Sequence, residues 1–374
     1  MSPAVRRTTT GRRRPGGGVW RVAGATAVTG LLVVALGVGC GSADDAERAD
    51  GTDPTTTSAT STGEAARPTT TASDDTPTTA AGCAATAPAA ASTERVELSS
   101  GGADRWYDRL VPTSYDGEPT PLVVDLHGYL SGAEGQAAMS AFGAAAEREG
   151  FVLATPQGNG DLAYWNAVPH PDLPDDVGFV ADVIDDVSAA VCIDPDRVYV
   201  DGMSNGAFLA SLVACELADR VAAVAAVAGL LVPDGCAPSR PVPVLAVHGT
   251  ADRYVPVTGG RGPALDDLDW DDDSTRAFDG LAFGDVTEAA ARWAELDGCD
   301  PEPTRTDVSD EVEAIAYGEC ADDAAVELYV VDGGGHAWPG RDFSRASADI
   351  VGPTTFDIDA TDLIWTFFEE HPRP

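Results

Sequence analysis

From residue 96 onward, short apolar runs alternate with stretches of helical period. The runs at 122–126, 151–154, 197–200, 221–227, 243–247 and 326–331 are brief, rich in Val and little interrupted by polar residues. That pattern predicts strands buried on both faces. The stretches 134–149, 177–191, 205–217, 285–296 and 361–370 read as helices; in 285–296 the apolar positions are Val286, Ala289, Trp293 and Leu296. Strands and helices in alternation predict an α/β fold: a doubly wound, mostly parallel sheet with helices on both faces, filling 93–374 as one domain.

Upstream of this series the pattern is different. Arg6, Arg7, Arg12, Arg13, Arg14 and Arg21 precede an apolar stretch at 22–38 that is too short and glycine-rich to span a bilayer well. Residues 1–40 therefore read as an export signal. Its end, Leu36-Gly37-Val38-Gly39-Cys40, resembles a bacterial lipobox, which implies that Cys40 becomes the lipidated first residue of the mature chain. Gly37 departs from that pattern, where Leu is usual, so plain secretion and an uncleaved anchor stay open. Residues 41–92 are mostly Thr, Ala, Ser, Pro and Asp and cannot bury enough apolar surface to fold, so they read as a disordered linker. The expected location is extracellular, tethered to the cell membrane as a lipoprotein or else secreted.

Composition narrows the partners. The 374 residues are 44% hydrophobic, enough for a sizeable core, yet 61 acidic residues against 23 basic ones give a formal charge of −38. Such a chain repels nucleic acid and anionic bilayers, leaving a lipid on Cys40 as its expected membrane contact. With Cys40 set aside, six of the seven cysteines remain, an even set that reads as disulfides in an oxidising compartment. No Cys-x-x-Cys pair occurs, so no metal site is expected. Cys299 and Cys320 flank polar, loop-like sequence and are expected to pair; the pairing of Cys83, Cys192, Cys215 and Cys236 stays open.

The candidate chemistry begins at Gly202-Met203-Ser204-Asn205-Gly206, a Gly-x-Ser-x-Gly pattern between a predicted strand and a predicted helix. A serine on so sharp a turn needs minimal neighbours two residues away, and the turn sets it at a helix N-terminus where developing negative charge is favoured. Ser204 is thus the candidate nucleophile. Of the five histidines, His336 lies in a glycine-rich loop just past the strand ending at 331, and it is the candidate general base. His127 and His248 each precede Gly at a strand end and read as structural hydrogen-bonders. Asp252, just past the strand ending at 247 and between Ser204 and His336 in chain order, is the candidate acid that orients the imidazole. The oxyanion hole would take its N–H groups from Asn205, directly after the nucleophile, and from Tyr129, after His127-Gly128, with Gly128 as fallback.

These residues sit in a wider set: Asp125-Leu126-His127-Gly128, Pro156-Gln157-Gly158, Trp165-Asn166, Cys192-Ile193-Asp194-Pro195, His248-Gly249-Thr250-Ala251-Asp252 and Gly335-His336-Ala337-Trp338-Pro339-Gly340. In that order they resemble the polyhydroxybutyrate-depolymerase-like esterases, which include feruloyl and acetylxylan esterases, over about 96–368. The resemblance implies an α/β-hydrolase fold and a Ser-His-Asp esterase on Ser204, His336 and Asp252 that needs no cofactor. It implies a small or polymeric ester as substrate: hydroxyalkanoate oligomers, or acyl groups on polysaccharide. Trp165 and Trp338 would line the acyl or alcohol pocket, with core packing as the alternative for each, and His127 is counted with them on the substrate side. The stretch 258–284, with Asp at 266, 267, 269 and 271–273, is longer and more acidic than the resemblance leads one to expect. It reads as a solvated acidic loop, with a lid as the alternative; it lacks the ligand spacing of a calcium loop. No appended polymer-binding module is recognisable, which lowers the expectation of attack on insoluble polymer. Two rival functions remain: a peptidase on the same fold, and a lipid-anchored binding protein that has lost catalysis.

Overall fold

A computed structural model describes Cys83, residues 93–279 and residues 283–374. The expected export signal, Cys40 and nearly all of the expected linker lie outside the described residues.

From residue 93 the described residues run through a hairpin, β1 (Thr93–Ser100) and β2 (Ala103–Leu110), then β3 (Thr120–Leu126), α1 (Gly132–Ser140), α2 (Phe142–Glu149), β4 (Val152–Pro156) and α3 (Asp176–Ala190). Next come β5 (Ile193–Met203), α4 (Asn205–Glu216), β6 (Ala223–Val227), β7 (Val244–Gly249), α5 (Asp272–Phe278) and α6 (Val286–Leu296). The chain closes with β8 (Thr304–Asp307), β9 (Val312–Tyr317), β10 (Val326–Val331), α7 (Asp342–Ala346), α8 (Ala348–Val351) and α9 (Ala360–Glu370). The strands form one sheet in the order β1-β2-β4-β3-β5-β6-β7-β10-β9-β8. The six strands from β4 to β10 in that order run parallel, and antiparallel strands extend both edges. This is the expected α/β-hydrolase arrangement.

Pleating divides the core. Leu122, Val124, Val198 and Val200 point to the face covered by Val183 and Val187 of α3, Phe208 of α4 and Trp293 of α6. Val123 and Tyr199, between them in sequence, point to the other face, under Phe142 of α2 and Trp365 and Phe368 of α9. Each such large apolar side chain contributes about 1.5–3 kcal/mol by leaving water. The predicted helix over 134–149 is broken into α1 and α2 at Ala141, whose φ is +54°. The break follows from distant demands on Ser140: its hydroxyl donates to Asp125 and its carbonyl accepts from Thr361.

Three disulfides join Cys83 to Cys192, Cys215 to Cys236 and Cys299 to Cys320. The last is the expected pair. The second and third each close a loop of sequence separation 21, worth about 3 kcal/mol in a chain-entropy account. Among the described residues no helix is long and apolar enough to cross a membrane.

One polar pair is set deep in the sheet. Asp125 on β3 is the register partner of Asp201 on β5, and both are wholly buried. Asp125 accepts from Gln136 Nε2 at 2.5 Å and Ser140 Oγ at 2.6 Å. Burial raises its pKa to about 6. Burial first, and then the Asp125 charge, raises Asp201 well above the usual carboxylate range. Two ionised carboxylates cannot share so dry a site, so the pair holds a proton that the unfolded chain releases near pH ~4. Its contribution to stability is full below that pH and is lost as pH rises through the higher folded values. Raising the pH from 6 to 8 should therefore lower the melting temperature. Burial also raises Asp297 to about 7, which adds to that slope. Asp201→Asn, which supplies a permanent hydrogen to Asp125, should make the slope shallower; thermal melts of both proteins across this range check it, and an unchanged slope refutes it.

Candidate active site

Ser204 joins β5 to α4 with φ +54° and ψ −115°, a conformation costly for any residue with a side chain. Its surroundings enforce the turn. Ser204 N donates to Val227 O at 2.9 Å, and Phe208 N donates to Ser204 O at 3.0 Å. A Cβ on Gly206 would lie 2.3 Å from Leu126 O, and one on Gly202 would lie 2.4 Å from the Gly206 carbonyl carbon. Both glycines of the pattern are thus required by close backbone packing of β3, β5 and α4. The serine is left at the C-terminal edge of the sheet, at the N-terminus of α4.

The strands β7 and β10 are parallel neighbours, with Gly249 opposite Val331, so the loops that follow them leave at that same edge. They bring Asp252 and His336 together: His336 Nδ1 lies 2.7 Å from Asp252 Oδ2. The other carboxylate oxygen accepts from Tyr254 N at 2.8 Å and Val255 N at 2.9 Å. Burial alone would raise the Asp252 pKa, but the His336 imidazole and its hydrogen bond, followed by His248, hold it below the usual value. An ionised Asp252 makes Nδ1 of His336 the donor and leaves Nε2 as the atom turned to other work. His336 N donates to Val351 O at 2.6 Å, and the Tyr254 ring lies 5.0 Å from the imidazole. Among the described residues the imidazole is hydrogen-bonded to Asp252 and not to Ser204 Oγ.

His248 is buried, with Nε2 2.8 Å from Val255 O and 3.6 Å from Asp252 Oδ2. Burial pushes its pKa down. A carbonyl only accepts, so Nε2 carries the hydrogen and His248 braces the turn that carries Asp252.

Of the two expected N–H donors, one directly follows Ser204 in the chain. Asn205 N is the first in α4 and has no intrahelical acceptor. The Asn205 side chain is occupied elsewhere, its Oδ1 accepting from Trp165 N at 2.7 Å and its Nδ2 donating to Trp165 O at 3.2 Å. On the other side runs the loop after β3. A Cβ on Gly128 would lie 3.4 Å from Ser204 Cβ, so Gly128-Tyr129 passes directly beside the serine.

Three expected pocket residues are placed differently. Trp165, Trp338 and His127 are wholly buried, so they do not line a surface open to substrate. Trp165 Nε1 donates to His127 O at 2.8 Å, and Trp338 Nε1 donates to Thr361 Oγ1 at 3.0 Å. His127 receives Gly158 N on Nε2 at 2.8 Å and donates from Nδ1 to Gly128 O, while burial pushes its pKa down to about 4. Their hydrogen-bonding needs are met by backbone and core, so they brace the loops from behind.

Over the described residues 258–279, the acidic stretch is not a wholly solvated loop. Ala264, Leu265, Ser274 and Ala277 are buried, and α5 is capped by Asp271 and Ser274 in a reciprocal box. Its aspartates face water while its apolar residues dock. The ring of Tyr129 stacks on Trp270 at 4.8 Å and meets Phe278 edge-on at 5.3 Å. Neither Trp270 nor Phe278 was legible as a site residue, since no local pattern marks a ring whose partner lies some 140 positions away.

Residues 106–257 match the family model described as Esterase PHB depolymerase. The chain is 33% identical over 294 residues to "Putative esterase NocK" of Nocardia uniformis subsp. tsuyamanensis, covering 75% of this chain and 83% of that protein. It is 30% identical over 234 residues to Feruloyl esterase B of Piromyces equi, covering 60% of this chain but only 41% of that protein's length. Poly(3-hydroxyalkanoate) depolymerase C of Paucimonas lemoignei is 28% identical over 237 residues, 59% of this chain and 55% of its own. Among solved structures, an acetyl xylan esterase from Aspergillus awamori superposes with a TM-score of 0.47 at 14% identity, covering 68% of this chain and 97% of that one.

Crowding at the elbow gives a direct test. Gly206→Ala should destabilise the protein by about 3 kcal/mol, or roughly 6–12 °C in melting temperature. Gly318→Ala, where an added Cβ meets nothing within 4 Å, should leave it within about 1 °C, inside the usual range of surface changes. Equal melting temperatures for the two variants would contradict the packing described.

Proposed function

The chain belongs to the PHB depolymerase esterase family, and we propose that it is a serine carboxylic ester hydrolase acting outside the cell, with Ser204 as nucleophile, His336 as general base and Asp252 as the orienting acid. The observation that carries this reading is the 2.7 Å contact between Asp252 and His336 at the sheet edge where Ser204 is held in its positive-φ turn.

In the proposed reaction His336 Nε2 takes the hydroxyl proton as Ser204 Oγ attacks the ester carbonyl. The carbonyl electrons move onto oxygen, where the N–H groups of Asn205 and Tyr129 hold them. Collapse of this intermediate breaks the bond to the alcohol, which leaves with the proton from His336, and an acyl-enzyme remains on Ser204. Water then attacks with His336 again as base, the acid departs and Ser204 regains its proton. Asp252 keeps the imidazole in one tautomer and stabilises its cationic form. No cofactor enters any step.

The relatives' names carry feruloyl and poly(3-hydroxyalkanoate) esters, and the proposed substrates are of those kinds: acyl groups on polysaccharide or hydroxyalkanoate oligomers. The three disulfides fit an oxidising compartment. A lipid on Cys40, if the lipobox is processed, would tether the catalytic domain at the cell surface.

Ser204→Ala should reduce hydrolysis of nitrophenyl acetate roughly a million-fold and abolish labelling by a fluorophosphonate. Asp252→Asn should lower kcat by about 10⁴ through the wrong imidazole tautomer. Undiminished turnover by the Ser204→Ala protein would overturn the assignment.

A further inference from the structure

The segment 262–278 runs from the acid's loop to the loop beside the nucleophile. At its start it is stitched to the residues that follow Asp252. Gly262 N donates to Tyr254 O at 3.2 Å, and Ala264 N donates to Arg253 O at 3.0 Å. The fit there is tight: a Cβ on Gly262 would lie 2.2 Å from Arg253 O. Leu265 is buried, and its carbonyl accepts from Trp270 Nε1 at 3.1 Å, folding the segment back on itself. At its far end it grips one side chain. Tyr129 OH donates to Asp269 O at 2.5 Å and lies 3.2 Å from Ser274 Oγ. The Tyr129 ring stacks on Trp270, and Trp270 meets Phe278 edge-on at 4.9 Å.

The gripped residue directly follows Gly128, where an added Cβ would lie 3.4 Å from Ser204 Cβ. Its own loop is held on either side of Tyr129 N: Gly128 O accepts from Ser131 N at 3.1 Å and from His127 Nδ1 at 2.8 Å, and Leu130 N donates to Leu162 O at 3.0 Å. It lies between β3 and α1, contains Gly128, and continues through Leu130 at φ +66°. A precisely placed group gains from a supporting shell that packs its side chain. The hydroxyl and ring of Tyr129 supply the handle, and the strap 262–278 supplies the hand.

We propose that this strap is a positioning element for the oxyanion hole, and that Tyr129 is a positioning residue through its side chain as well as a donor through its backbone. The inference rests on the assignment of Ser204 as nucleophile and of Tyr129 N–H as donor. Because the strap leaves directly from the acid's turn, one continuous segment ties the acid side of the site to the oxyanion side. Docked, it presents an oxyanion hole ready for the tetrahedral intermediate; released, it leaves Ser204, His336 and Asp252 in place but the developing charge poorly held. The effect belongs in kcat, since a donor aimed at the oxyanion binds the transition state better than the ester.

Four variants of the full chain test this with nitrophenyl acetate, whose acetyl group is small. Tyr129→Phe keeps the ring and removes both hydroxyl contacts; it should lower kcat about fivefold. Trp270→Ala removes the stack and should lower kcat about tenfold, while Trp270→Phe should restore most of it. In each case KM should stay within about twofold. The double variant Tyr129→Phe/Trp270→Ala should be little worse than Trp270→Ala alone, because both act through one grip. An aryl trifluoromethyl ketone, which Ser204 would convert to a hemiketal oxyanion, should lose affinity in proportion to kcat/KM. Loss confined to KM, or ketone affinity unchanged while kcat falls, would overturn the proposal, as would unchanged kcat in both single variants. Ser204→Ala, assayed alongside, separates the failures. If it is inactive while Tyr129→Phe and Trp270→Ala are normal, the strap inference alone falls. If it retains turnover, the nucleophile assignment falls and the strap's role with it.

Discussion

The carbonyl oxygen of Leu126 leaves no room for a side chain at position 206, and much of the site depends on that contact. At 2.3 Å from where a Cβ would sit, it presses the end of β3 against the first turn of α4. Three strand-end features are thereby tied to one point: the elbow at Ser204, the loop carrying Gly128 and Tyr129, and the start of the helix whose first N–H is Asn205's. The parallel register of β6, β7 and β10 then carries the acid and imidazole loops to the same edge. A site of this kind is assembled by strand order, and the side chains complete what the backbone has already brought close.

Acidic residues divide into two populations with opposite consequences. Most of the 61 lie outside, where they give the strap and the surface a negative field but little stability each. A few are buried, and each of these organises a loop. Asp176 accepts from Arg105 at 2.9 Å and from Asn166 N and Asn159 Nδ2 at 2.7 Å each, ordering the segment that carries Trp165. Asp252 does the same for its own turn through Tyr254 N and Val255 N, and spends its second oxygen on His336. Asp125 and Asp201 differ in facing one another in a wholly buried place, and burial first raises both above the usual carboxylate range. Asp252, held below the usual carboxylate value, stabilises the fold as a charge, whereas the facing pair stabilises it as a retained proton.

How far the chain could be read from its letters follows from where each signal lies. The central strands were legible because burial on both faces demands continuous apolar runs, as in β6 and β7, every residue of which is buried. The edge strands were not: β8 reads Thr-Arg-Thr-Asp with every residue exposed, and it is held by pairing to β9 alone. The break at Ala141 was hidden because its cause, Thr361 capturing the Ser140 carbonyl, lies 221 residues away. Strand-end logic singled out Ser204, Asp252 and His336, two of which the structure joins by a hydrogen bond. It could not say whether a loop tryptophan lines a pocket or fills the core, and Trp165 and Trp338 fill the core. Nor could it see that an aspartate-rich stretch docks, since charge dominates that composition while Leu265, Trp270 and Phe278 do the docking.

The strap also bears on which esters such a site would accept. Between residues 262 and 278 it carries six aspartates against one arginine, and it lies against Tyr129. Tyr129 takes a backbone carbonyl and a serine from it, not a carboxylate, so the charges are left to act on what approaches from water. An anionic ester would meet that field before reaching Ser204, while a neutral or cationic one would not be opposed. Exposed charges act over about a Debye length, so added salt would weaken this discrimination without loosening the half-buried aromatic stack against Tyr129. On the proposed reading, one segment would thus act on the approaching substrate and on the oxyanion hole through two separable forces, screened charge on its outer face and packed aromatic rings on its inner one.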